Sequence, residues 1–172
     1  MNKHWGIRGE QAGEIDEVTD RELDALVAEK VMGGNLRDSE PWEVADGLPK
    51  VRQVIETPDG RVDEFSPSND LASAWRVLKR VSLFCSKANS GPGFFYKPVV
   101  RIEWCEHDEI ATVTVGRCKE CDCDTDVSIE VWADESVEDA DDAADSAVCH
   151  AICLAALKCA KLLVDGGGEV KA

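Results

Sequence analysis

Three short stretches with a strict two-residue hydrophobic period, enclosed by helical patterns, most constrain what this chain can fold into. Val100, Ile102 and Trp104 alternate with Arg101 and Glu103. Ala111, Val113 and Val115 alternate with Thr112 and Thr114, and Val127, Ile129 and Val131 alternate with Ser128 and Glu130. Successive side chains of a strand point to opposite faces, so each run predicts a strand buried on one side only, as in an antiparallel sheet. The polar connections are short, which makes a meander the natural pairing.

The flanking segments change period. Thr19 with Glu22 three positions on has the spacing of a capping box and predicts a helix over about 20–32. Leu23, Leu26, Val27 and Val31 mark its buried stripe, and Gly33-Gly34 stops it. Val51 to Ile55 and Arg61 to Phe65 flank the turn signal Thr57-Pro58-Asp59-Gly60 and predict a hairpin. Ser68 is placed to cap a second helix over about 69–86, with Leu71, Ala74, Trp75, Leu78, Val81 and Cys85 as its core face. A last helix over about 145–164 is apolar nearly all round between Ala147 and Leu157, which predicts cover on more than one side. The acidic stretch from Asp134 to Asp145 leads into it, as a linker and first turns. The order helix, hairpin, helix, three strands, helix implies an α+β fold with helices packed on a small, mainly antiparallel sheet. A length of 172 residues suits a single domain over 16–165, with a flexible leader at 1–15 and a flexible tail at 166–172.

Charge then sorts the functions. The chain carries 19 basic and 35 acidic residues, a formal charge of −16, which repels the phosphates of duplex nucleic acid. Yet from Leu71 to Ile102 there is no Asp or Glu, while Arg76, Lys79, Arg80, Lys87, Lys97 and Arg101 all fall there. The same stretch holds Asn89-Ser90-Gly91-Pro92-Gly93-Phe94-Phe95-Tyr96-Lys97. Cations beside flexible backbone N–H groups can hold an anion, and aromatic faces can stack on a base. On that reading Arg76, Arg80, Lys87 and Lys97 neutralise phosphates, Phe94, Phe95 or Tyr96 stacks on a base, and the loop from Asn89 to Gly93 closes over it. The alternative is a cationic helix face that neutralises acidic neighbours within the fold.

Other constellations are weaker. Cys118, Cys121 and Cys123 could offer thiolates to zinc. Cys105 and His107 lie at the far end of the intervening strand, roughly 20–25 Å away at ~3.3 Å per residue, too far to share one metal. Cys149 and Cys153 sit four apart on an apolar helix and read as small core residues. No phosphate-binding loop, dinucleotide fingerprint or metal-hydrolase motif is present, so neither catalysis nor a cofactor is expected. Eight cysteines without a secretion signal imply reduced thiols in a cytoplasm. No membrane partner is expected either, since the apolar run to Val164 is broken by His150, Lys158 and Lys161.

Three separated segments carry a family resemblance: Leu23-Asp24-Ala25-Leu26-Val27-Ala28-Glu29-Lys30-Val31-Met32-Gly33, Phe65-Ser66-Pro67-Ser68-Asn69-Asp70-Leu71-Ala72-Ser73-Ala74-Trp75, and Ala151-Ile152-Cys153-Leu154-Ala155-Ala156-Leu157-Lys158. Together they resemble the phage ABA-sandwich domain of small bacteriophage and prophage proteins. The resemblance implies an α/β/α sandwich in the cytoplasm of an infected bacterium, and brings no settled activity and no catalytic residues. Combined with the basic stretch, it leads to the expectation of a phage counter-defence protein. Such a protein would sequester a small phosphorylated immune signal, such as a cyclic or ADP-ribose-type nucleotide, without catalysis and as a homo-oligomer. The rival expectations are an acidic protein-interaction inhibitor that mimics DNA against a restriction or CRISPR nuclease, and a structural phage accessory protein.

Overall fold

Thr19 starts the first helix as its sequence promises. Its hydroxyl accepts from the Glu22 backbone N–H, and the Glu22 carboxylate accepts in return from the Thr19 N–H at 2.9 Å. Helix α1 (Asp20–Val27) then widens into a π-helical turn over Ala28–Met32, and Gly33 ends it in the left-handed region at φ 71°. Leu23, Val27, Ala28 and Val31 are buried, whereas Leu26, expected on the same stripe, is 39% exposed. Asp24 is buried beside that stripe instead, at 1% exposure. The structure, a computed structural model, describes residues 18–43, 49–88, 97–119, 122–133 and 139–165. The expected leader and tail therefore lie outside the described residues.

The predicted hairpin forms with β4 (Gln53–Glu56) and β5 (Val62–Glu64), turning at Gly60 with φ 79°. Its other edge gains β1 (Asn35–Asp38), which the hydrophobic pattern did not reveal, to give an antiparallel sheet of order β1-β4-β5. A two-residue pairing joins β2 (Trp42–Glu43) to β3 (Pro49–Lys50). The small sheet enters the core through Ile55 and the fully buried Phe65 that follows β5.

Helix α2 (Leu71–Ala88) begins two residues later than Ser68 would set it. Asp70 is the cap: its carboxylate accepts the Ser73 N–H at 2.7 Å, and its carbonyl accepts the Ala74 N–H at 2.9 Å. The three alternating runs form β6 (Lys97–Cys105), β7 (Ile110–Lys119) and β8 (Asp122–Trp132), an antiparallel meander. Register aligns the apolar positions into cross-strand rows: Val100, Val115 and Val127; Ile102, Val113 and Ile129; Trp104, Ala111 and Val131. A bulge follows Val115 on the β7–β8 side. Helix α3 (Ala140–Asp165) starts earlier than expected, because Asp139 caps it by accepting the Asp141 N–H at 2.9 Å.

Packing follows from these faces. Helix α3 lies across the apolar face of β7 and β8, α2 lies beside it over β6, and the π-helical turn touches both helices. Every residue from Ala151 to Ala156 is buried, as the all-round apolar pattern requires. The stretch Asp141–Lys161 is long and apolar enough to cross a membrane by length and composition, yet most of it is buried within the fold, as in a core helix. Among the described residues the large sheet is covered on one face. The other carries Arg101, Glu103, Ser128 and Glu130, all exposed. The fold class is α+β.

Candidate functional site

Because β6 is an edge strand, helix α2 has only one strand beneath it and α3 beside it. A cleft of about 430 Å³ opens where the three elements meet. Leu71, Trp75 and Leu78 of α2 form one wall, Val100 and Ile102 of β6 the floor, and Asp145 and Val148 of α3 the other wall. Its size falls within the usual range for small-molecule sites, with mostly apolar walls and few polar groups. Trp75 was expected in the core, but it stands at the rim with 54% of its surface exposed. The indole is thus presented rather than packed away. Asp145 makes no hydrogen bond or ion pair with any of the described residues.

The predicted cations whose side chains are described, Arg76 and Arg80, do not line this cleft. Arg76 is engaged by its own fold: its guanidinium donates to the Glu64 carbonyl and, at 3.3 Å, to the Ser73 hydroxyl. It also lies 3.7 Å from the Asp63 carboxylate and 5.8 Å above the Phe65 ring. At 3.6 residues per turn, Arg76 and Arg80 project about 100° and about 140° around α2 from Trp75. Lys79 projects only about 40° away, on the cleft's flank, and is exposed. Of the remaining predicted positions, Asn89, Phe94, Phe95 and Tyr96 lie outside the described residues. For Lys87 and Lys97 the backbone alone is described, at the end of α2 and the start of β6, where Lys97 pairs with Cys118.

A second polar cluster lies where α1 meets α3 and the turn before α2. Asp24, 1% exposed, accepts the Ser68 N–H at 2.8 Å and the Ser66 hydroxyl at 3.3 Å. Burial pushes its carboxyl above the usual carboxylate range, against the lowering effect of those donors. His150, 2% exposed, has Nδ1 at 2.9 Å from the Ser146 carbonyl and Nε2 at 3.0 Å from Asp20 Oδ1. Sequence reasoning missed both. The usable signal for Asp24 was its place on the α1 stripe with Val27 and Val31, where a carboxylate demands a partner.

Two buried cysteines of α3, Cys149 and Cys153, lie close to this cluster. Burial pushes the Cys149 thiol up to about 12, with Asp145, Asp70 and Asp24 adding to the shift. Burial likewise holds Cys153 well above the usual thiol range. Neither supplies the thiolate that nucleophilic attack needs. Among the described residues no group of three or more His, Cys, Asp or Glu side chains could hold a metal ion. Cys121 lies outside the described residues. No known family model, curated protein or solved structure matches this chain.

Proposed function

We propose that this chain is a non-catalytic binding protein that captures a nucleotide-type ligand by its base, as a counter-defence protein of a phage would capture an immune signal. The observation that carries this reading is the cleft beside Trp75, with a half-exposed indole over apolar walls. A purine or pyrimidine has two apolar faces and a polar edge. Stacking on an aromatic side chain is worth about 1–3 kcal/mol per base. The phosphates would lie outside the cleft, on the Lys79 side, where α2 carries its cations. The reading gives Arg76 a structural task and makes Trp75 the central ligand contact.

Equilibrium dialysis against a mixture of mononucleotides and cyclic dinucleotides, read by mass spectrometry of both chambers, tests it. Retention of an unaltered nucleotide at near-stoichiometric level supports capture. Equal concentrations in both chambers for every compound would refute it, and conversion of a nucleotide would show an enzyme instead.

A further inference from the structure

Resting on the reading of the cleft as a base pocket, we infer that Asp145 selects the base and that the base is guanine. Among the described residues the wall opposite Trp75 carries one polar side chain, and it is an acceptor-only carboxylate. It has no hydrogen-bond or ion-pair partner among the described residues, so a ligand would displace only water from its two oxygens. The other described lining residues are apolar, and Asp145 itself is exposed, so its carboxylate stands at the mouth of the cleft where a ligand can reach it.

The four base edges differ in what they offer such a group. Guanine presents N1–H and an N2 amino group side by side, two donors that a carboxylate takes in parallel. Adenine and cytosine each present one amino group next to a ring nitrogen that is itself an acceptor, which repels the second carboxylate oxygen. Uracil presents one N–H between two carbonyls. The charge-assisted, paired contact therefore belongs to guanine alone. A bidentate pair of this kind discriminates by about 1–3 kcal/mol, which is about 5- to 150-fold in affinity.

Calorimetric titration with the 5′-monophosphates of guanosine, adenosine, cytidine and uridine tests the inference. The wild-type chain, Asp145→Asn and Trp75→Ala are compared, each checked for native circular dichroism. Guanosine monophosphate is expected to bind about five-fold or more tightly than uridine monophosphate. Asp145→Asn should erase that preference, while Trp75→Ala should weaken all four ligands alike. Equal binding of the four by the wild-type chain, or an unchanged order in Asp145→Asn, would overturn the guanine assignment and leave the base pocket standing. Absence of binding by all four would overturn both.

Discussion

The Asp24 carboxylate on the first helix accepts the backbone N–H of Ser68, 44 residues along the chain, at 2.8 Å. This bond ties α1 to the turn that launches α2, and both groups are buried. Asp24→Ala leaves the Ser68 N–H without its acceptor, so the expected loss is about 2–3 kcal/mol. Asp24→Asn retains a carbonyl oxygen and should lose less. Urea denaturation measures both, and an Asp24→Ala variant as stable as the wild type would contradict the role of the bond.

The same carboxylate sets a pH signature. Its folded pKa is raised by burial, so the folded state holds the proton more tightly than the unfolded chain does. The contribution of Asp24 to stability is therefore fullest below the unfolded carboxylate pKa and is lost as pH rises through the folded one. Asp70 acts in the opposite sense: the Ser73 hydrogen bonds lower its pKa, and its contribution is lost on acidification. Stability curves of wild type and Asp24→Asn against pH isolate the first effect. The wild-type advantage should be larger near pH 4 than near pH 7, and an advantage that grows with pH would contradict it.

Thiol labelling should separate the cysteines by burial. Cys105 is exposed, whereas Cys149 and Cys153 are buried, with their thiols held protonated. Iodoacetamide on the native protein, mapped by peptide mass spectrometry, should modify Cys105 and reach Cys149 and Cys153 only after unfolding. Equal labelling of Cys149 and Cys105 in the native state would contradict the packing of α3.

Gly34 is required by space. A Cβ there would come within 2.8 Å of the Glu56 carbonyl oxygen and 2.8 Å of Ile55 Cγ1. Overpacking of this kind costs about 1–3 kcal/mol. Gly34→Ala should lower the denaturation midpoint accordingly, and an unchanged midpoint would show that β1 and β4 do not approach as described.

Arg76 separates the structural reading of the basic stretch from the ligand reading. Its contacts with Glu64, Asp63, Ser73 and Phe65 are half-exposed, so Arg76→Ala should cost about 1 kcal/mol or less. Nucleotide binding measured in the same samples should be unchanged. A folded Arg76→Ala chain that no longer binds would return the site to the arginine flank.

The strands were legible because burial on one face leaves a two-residue period that no helix reproduces, and Val100–Trp104, Ala111–Val115 and Val127–Val131 each carry it. The Thr19 cap was legible in type and position, whereas at α2 only the residue type was legible. Ser68 and Asp70 are both good N-caps; the Asp70 carboxylate takes the N–H three residues on, while the Ser68 hydroxyl accepts from the Asn69 side chain. Helical stripes were legible only at their centres. Trp75 and Leu26 sit at stripe edges, where exposure depends on what the neighbouring element covers, and one-dimensional spacing does not contain that. The cleft itself was not legible. It arises from β6 being an edge strand between two helices, a consequence of topology that joins residues as far apart as Leu71 and Val148.

The most direct test of the account is an ¹⁵N-resolved NMR titration with guanosine monophosphate. The account predicts shifts at the Trp75 indole N–H and at the backbone amides of Leu71, Leu78, Ile102 and Val148. Shifts centred on Arg76, Glu64 and Ser73 instead, or none at saturating ligand, would contradict it.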